Sequence, residues 1–195
     1  IENIRLKGSS LNNVAILLRA SHQTRIFEES FINQSLPYKI YGGLRFYERK
    51  EIRDIIAYIR LVTNNSDSLA FDRIINLPSR GIGLATYSEI TKNSDLNNIS
   101  YLESVKQLSD AGELPKKANL EFKKFYNLIM ESVDLFSKGN HQDVVENILV
   151  ESGYKSMLQN DKSVDSAAKL DNLNEFIDAL SNFDNIYQFL EYISL

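Results

Sequence analysis

From Glu48 to the C-terminus, the apolar residues of this chain recur at the spacing of an α-helix. The clearest series lies on one face of the first predicted helix and consists of Ile52, Ile55, Ile56, Ile59 and Val62. This region shows no alternation of apolar and polar residues, the pattern that indicates a half-buried strand. We therefore expect residues 48–195 to fold as an all-α bundle, and no fixed-period repeat indicates a solenoid.

Capping and helix-breaking residues divide this region into separate helices. A cap at residues 66–67 predicts a helix that Pro78 ends, because proline lacks the amide hydrogen that a continuing helix needs. Another helix is expected to begin just after Gly83. Pro115 suits the first turn of a long helix, which Gly139 is expected to stop. Shorter helices are expected further on, at 144–149, 154–158, 173–180 and 186–190.

The first 45 residues carry a different pattern. Residues 13–18 and 38–41 are short apolar runs of strand length, and between them residues 22–34 have the apolar spacing of a helix. Strand, helix and strand in this order form the smallest unit of a parallel sheet. Two strands and one helix cannot cover their own faces, so we expect residues 1–45 to be part of an α/β domain and residues 46–195 to be a helical domain.

Composition narrows the classes of function. With 195 residues, 43% of them hydrophobic, the chain can bury a core, and it has no apolar stretch of about 18 residues that would predict a membrane span. The N-terminus shows no secretory leader, so a cytoplasmic protein is expected. The absence of cysteine excludes disulfides and thiolate metal sites. A net charge of −4 argues against a surface coated with nucleic acid, so any DNA contact must be local.

The motifs of common catalytic sites are missing from the sequence. There is no glycine-rich phosphate loop ending in Lys-Ser or Lys-Thr, and no pair of acidic residues follows an apolar strand to hold Mg²⁺. The two histidines, His22 and His141, are too few for a convincing Ser-His-Asp set, and each is expected on a helix without a ligand role. We expect the chain to have no catalytic residues, no metal and no cofactor of its own.

Residues 76–86 have the composition of a phosphate-binding turn. They join a helix end to a new helix start through Gly-Ile-Gly, and a helix start presents amides without acceptors at the positive end of the helix dipole. Glycines allow a phosphate to approach the backbone, while an arginine adds charge, a threonine adds a hydroxyl and an isoleucine anchors the turn. A plain turn with two structural glycines is the alternative. The expected contacts with the DNA backbone are Arg80, Gly81, Ile82, Gly83, Leu84 and Thr86.

A second candidate contact is a basic cluster around the start of the long helix, at 116–117 and 123–124. All four of its residues are lysines, and Glu113 and Glu121 interleave with them. Because the opposite charges are mixed, a solvated helix face is the plainer interpretation.

The chain resembles the UvrD, PcrA and Rep helicases in blocks that follow one another in the same order. The first two cover residues 14–29 and 36–58, and the third is Phe-Asp-Arg-Ile-Ile-Asn-Leu-Pro-Ser-Arg-Gly-Ile-Gly at 71–83. Weaker similarities follow at 153–154 and 169–176. In that family, two RecA-like domains, 1A and 2A, hold ATP and Mg²⁺ between them, and each carries an inserted helical subdomain, 1B or 2B. The resemblance implies that the N-terminal part of this chain belongs to 2A and the helical remainder to 2B.

The resemblance also implies roles for single residues. In the family, the Gly-Ile-Gly turn of 2B touches the duplex ahead of the fork. The motif that helps to hold the single strand is usually Arg-Thr-Asn and is Arg-Ala-Ser here, which makes Arg19 and, more weakly, Ser21 candidates for single-strand contact. At the passage from 2A into 2B, residues of an interdomain hinge or of ion pairs are expected, namely Gly42, Gly43, Arg49, Glu51 and Asp54.

The expected function is that of an accessory, duplex-contacting segment of an ATP-dependent helicase that moves 3′ to 5′ in DNA repair or replication. Its expected partners are DNA, domains 1A and 1B with the rest of 2A, and repair proteins, with no membrane. Two alternatives remain open. The helical domain can serve as an autoinhibitory or protein-docking module, or the chain can belong to a helicase–nuclease of the AddA or RecB kind.

Overall fold

The computed structural model describes residues 1–8, 10–138 and 141–194. The chain divides into two compact units, Ile1–Phe46 and Tyr47–Leu195, so the break lies next to the boundary expected after residue 45. Within the described ranges the regular structure is helical, and none of these helices is long and apolar enough to cross a membrane.

The first unit corrects the strand–helix–strand prediction. Its described residues form α1 (Glu2–Leu6), α2 (Thr24–Asn33) and short 3₁₀ turns at Leu11–Asn13 and Ser21–Gln23. The predicted helix is therefore present, but the described residues of this unit form no strand at 13–18 or 38–41. The physical reason is that a strand requires a hydrogen-bonded neighbour, and these two runs form no ladder with each other.

The second unit is the predicted helical bundle. Its helices in the described part of the chain are α3 (Lys50–Thr63), α4 (Ser68–Ile74), α5 (Leu84–Asn97), α6 (Tyr101–Ala111), α7 (Lys116–Ser137), α8 (His141–Glu151), α9 (Tyr154–Asn160), α10 (Ser166–Leu180) and α11 (Ile186–Tyr192).

Several helix boundaries follow the capping signals. The carboxylate of Asp67 accepts a hydrogen bond from the amide of Ala70 at 2.9 Å and so caps α4, which ends before Pro78. Helix α5 begins directly after Gly83, and α7 begins directly after Pro115. Gly139, the residue expected to stop α7, lies outside the described residues. Most helix boundaries are thus confirmed to within a few residues, but α10 begins at Ser166, seven residues before the expected start at 173.

Helix α6 was not among the predicted helices, although its sequence carries both end signals. The hydroxyl of Ser100 accepts a hydrogen bond from the amide of Glu103 at 3.2 Å. Gly112 ends the helix with a φ of +73°, in the left-handed region that favours glycine. A serine followed three residues later by a glutamate and, at the far end, by a glycine is the pattern that could have identified it.

The core of the bundle is built around α3, which packs against α4, α7, α8 and α10. Rings from three of these helices meet edge to face: Tyr58 and Phe125 have centroids 6.4 Å apart, and Phe71 and Phe125 have centroids 6.1 Å apart. All three side chains are at most 2% exposed. This aromatic cluster holds α3, α4 and α7 together, and the candidate site follows α4.

Candidate nucleic-acid interface

The turn between α4 and α5 presents an open helix start. Gly81 has a φ of +72°, in the left-handed region, and the chain then extends at Gly83, the N-cap residue of α5. Gly83 has no side chain with which to cap this helix. The side chain of Leu84, the first residue of α5, is 89% exposed. The start of α5 is therefore accessible to a ligand from solvent.

The first amides of α5 have no acceptor within the helix. The first intrahelical bond runs from the amide of Tyr87 to the carbonyl of Gly83 at 3.0 Å, which leaves the amides of Leu84, Ala85 and Thr86 outside the helical pattern. Leu84 and Ala85 are exposed. Because these amides lie at the positive end of the helix dipole, this geometry suits a phosphate oxygen.

The two glycines leave the approach to these amides clear. A Cβ atom built at Gly81 or at Gly83 would meet no other atom within 4 Å. The absence of a side chain at Gly83 is therefore not required by packing of the described residues, although it does leave room for an incoming group.

Arg80 has a structural role in the folded unit. The residue is only 8% exposed. Its Nη1 atom donates to the carbonyls of Ile74 and Ile75 at 2.7 and 2.9 Å. Its Nη2 atom donates to the hydroxyl of Tyr58 at 2.8 Å, and the guanidinium lies 4.7 Å from the ring centre of Phe125. A buried guanidinium needs such acceptors, so Arg80 caps the end of α4 rather than offering its charge to a phosphate.

The hydroxyl of Tyr58 completes this inner support. It donates to the carbonyl of Leu77 at 2.6 Å while accepting from Arg80. Burial raises the pKa of Tyr58, and the neighbouring charge of Arg80 opposes that effect without cancelling it. The phenol therefore stays protonated at neutral pH, and its hydroxyl can donate to the carbonyl of Leu77.

Two other predicted contact residues are less accessible to a ligand than Leu84. Thr86 is 9% exposed, and Ile82 is half-buried. The accessible part of the site is consequently the backbone of 81–85, together with the side chain of Leu84.

Two expected hinge residues, Arg49 and Glu51, belong to a buried network inside the helical unit. Arg49 donates from Nη1 to Oδ1 of Asn172 at 2.8 Å, and Asn172 donates from Nδ2 to Oε1 of Glu51 at 2.6 Å. All three residues are less than 9% exposed. The network ties the start of α3 to α10, so these residues move with the helical unit, and their action as a hinge stays a prediction. Asn172 was not among the predicted site residues, and the only sequence signal for it is its place in the weaker similarity at 169–176.

Asp54 is the centre of a second buried network. Its Oδ1 atom lies 2.7 Å from Nη2 of Arg73, and its Oδ2 atom accepts from the hydroxyl of Tyr154 at 2.7 Å. Burial and the neighbouring carboxylate of Asp54 raise the pKa of Tyr154. These bonds join α3, α4 and α9.

The remaining candidates lie in the first unit. Gly42 has a φ of +89°, and both it and Gly43 are exposed with open space around them. Arg19 is exposed, as is Ser21, which begins a short 3₁₀ turn. The side chain of Gln23 accepts from the amides of Arg19 and Ala20, both at 3.2 Å, and so shapes the backbone from which Arg19 projects.

The basic cluster on α7 is solvated. Lys124 pairs with Glu121 at 2.9 Å, and Lys116, Lys117 and Lys123 are exposed.

Nε2 of His141 lies 2.8 Å from the carbonyl of Leu180. Over the described ranges, no group of three histidine, aspartate or glutamate residues could hold a metal ion.

Similarity to known proteins covers the whole chain. Residues 1–195 match the family model of the UvrD-like helicase C-terminal domain. The DNA helicase II of Rickettsia typhi is 44% identical over 192 residues, which is 98% of this chain and 29% of that protein. The ATP-dependent DNA helicase PcrA of Staphylococcus epidermidis is 36% identical over 170 residues, which is 87% of this chain and 23% of that protein. The chain spans less than a third of these relatives. It belongs to the UvrD-like helicase family and corresponds to part of the helicase C-terminal domain.

Proposed function

We propose that the helical unit grips the sugar-phosphate backbone of duplex DNA with the turn at 81–86, as the accessory segment of an ATP-dependent DNA helicase. The observation that carries this proposal is the exposed, uncapped start of α5 behind two glycines. Membership of a family whose relatives are named DNA helicases makes a nucleic-acid phosphate the matching ligand.

The grip is made by the backbone rather than by arginine. Arg80 is committed to carbonyls and to Tyr58, so the phosphate is held by amides and by the dipole of α5. In a chain with a net charge of −4, a small neutral contact of this kind is local and modest in strength. It positions a duplex that a motor holds elsewhere.

The first unit is proposed to complete a RecA-like 2A domain in a longer protein, and the helical unit to be its 2B insertion. In support, the apolar run at 13–18 leaves side chains uncovered: Ile16 is 42% exposed and Leu17 is 94% exposed. The rest of a 2A domain would cover them. On this proposal the ATP and Mg²⁺ site, domains 1A and 1B and the rest of 2A belong to the longer protein, which is cytoplasmic, moves 3′ to 5′ and acts in repair or replication.

The test is the variant Gly83→Val in the 195-residue chain. Gly83 has an extended backbone, with a φ of −92°, and nothing lies within 4 Å of an added Cβ atom, so we expect the variant to fold with a side chain where the phosphate approaches. We expect the affinity for a labelled blunt duplex, measured by fluorescence anisotropy at low salt, to fall roughly 10-fold, the effect of losing one hydrogen bond to a charged group.

Gly43→Val is the matched control, because Gly43 is also exposed with open space around it but lies in the first unit. It should bind the duplex as the unsubstituted chain does. If Gly83→Val folds and binds equally well, the duplex contact fails as an explanation of the turn, and the protein-docking alternative is favoured.

A further inference from the structure

The outer side of the turn is held by one exposed side chain, Asn76, which follows the end of α4. Its Oδ1 atom accepts hydrogen bonds from two backbone amides, that of Arg80 at 2.7 Å and that of Ile82 at 3.4 Å. Its Nδ2 atom donates to the carbonyl of Ile82 at 3.2 Å. A single carboxamide thus engages the backbone on both sides of Gly81.

These bonds decide which backbone groups remain for a ligand. The amide and the carbonyl of Ile82 are both engaged by Asn76, directly before the N-cap residue of α5. The amides that follow, at Leu84 and Ala85, have no acceptor within the helix and are exposed. We call the three hydrogen bonds of Asn76 the clamp, and it holds the chain directly before the N-cap residue of α5.

The clamp works together with the inner support from Arg80. The guanidinium of Arg80 fixes the end of α4 from the buried side, whereas Asn76 fixes the path of the chain from the solvent side. Only a carboxamide supplies both an acceptor and a donor at this length: aspartate lacks the donor, and alanine lacks both.

We propose that Asn76 is the positioning residue of the turn, whose side chain orients the free amides of α5 toward a DNA phosphate. This inference rests on the proposed function. Asn76 itself touches no phosphate, so its effect passes through the backbone that it holds.

The first test is Asn76→Ala in the 195-residue chain, with binding to the same labelled duplex. Loss of the clamp should lower the affinity roughly 5-fold, because the amides of α5 are then less well oriented and binding loses about the net free energy of one hydrogen bond. The dependence of affinity on salt should keep its slope, because no charged contact with the DNA is removed.

Asn65→Ala is the matched control. The side chain of Asn65 also donates to a backbone carbonyl, that of Leu61 at 2.7 Å, but it lies between α3 and α4 and not in the turn. It should lower the melting temperature while leaving the duplex affinity unchanged. If Asn76→Ala and the unsubstituted chain bind the duplex with equal affinity, the inference is overturned. If Gly83→Val still weakens binding in that case, the proposed function stands. No duplex binding by the unsubstituted chain would overturn both.

Amide hydrogen exchange of the unsubstituted chain gives a second readout that does not depend on how any variant folds. Without DNA, the amides of Arg80 and Ile82 should exchange slowly, because Asn76 accepts from both. The amides of Leu84 and Ala85 should exchange quickly and become protected when the duplex is added. If all four exchange equally fast in the free chain, Asn76 does not hold the turn and the inference fails.

Discussion

Polar groups occur in the helical unit in two opposite settings. Around α3, the carboxylate of Asp54 is buried, and its two oxygens are engaged by Arg73 and Tyr154. At the start of α5, the polar groups are backbone amides that face solvent without an intrahelical acceptor. Buried charges without partners are costly, so the first setting determines stability, while open amides can take a ligand. Substitutions in the two settings should therefore separate stability from DNA affinity.

The largest expected effect comes from the buried setting. Asp54→Ala removes the acceptor of the Tyr154 hydroxyl and the ion-pair partner of Arg73, whose Nη2 atom keeps only a longer bond of 3.3 Å to the carbonyl of Lys50. We expect the free energy of unfolding, measured by urea denaturation, to fall by about 3 kcal/mol. The affinity of the folded fraction for duplex DNA should not change.

Asp110→Ala is the control for that variant, because Asp110 also pairs with a cation, Lys106, at 3.0 Å, but on the surface. Its loss should hardly change stability, since water and salt screen an exposed pair. Equal destabilisation by the two substitutions would contradict the division between the settings.

A smaller effect on stability is expected at Gly81, in the turn before α5. With a φ of +72°, Gly81→Ala forces a side chain into the left-handed region, which costs about 1–2 kcal/mol of unfolding free energy. Gly43→Ala, without a positive φ, should stay close to the unsubstituted chain. Thermal unfolding of the two variants measures the difference, and an unchanged melting temperature for Gly81→Ala would show that the turn rearranges.

The smallest expected effect is a dependence on alkaline pH. Burial and Asp54 raise the pKa of Tyr154, so the folded chain keeps this proton while the unfolded chain releases it near pH 10. The associated stability is present below about pH 10 and is lost as the pH rises further. Tyr154→Phe should make the alkaline fall in melting temperature shallower. Because burial also raises the pKa of Tyr58 and Tyr87, a residual fall remains, and identical profiles would contradict the assignment.

Local signals explain what the sequence could predict. The cap at Asp67, the breaks at Pro78 and Gly83 and the start of α7 at Pro115 each act on neighbouring residues, so helix boundaries could be read along the chain. The strand prediction at 13–18 was wrong for the described residues because strand formation depends on a neighbouring strand and not on the apolar run alone.

The candidate site was predictable in position but not in chemistry. Its two glycines and the helix start are local features and were recognised. The sequence indicates that Arg80 is charged, but whether that charge faces solvent or the core depends on Tyr58 and Phe125, which come from other helices. The partner of Arg49 and Glu51 is Asn172, more than 120 positions along the chain, a distance over which no spacing rule applies.

The missing cap of α5 has a thermodynamic consequence. A helix whose N-cap residue is glycine forgoes a few tenths of a kcal/mol that a serine or aspartate in place of Gly83 would provide. In the proposed complex a DNA phosphate takes that place, so binding and the ordering of the first turn of α5 are linked equilibria. The duplex should then raise the melting temperature of the chain in proportion to the logarithm of its concentration, and a residue that capped the helix permanently would compete with the DNA for the same amides.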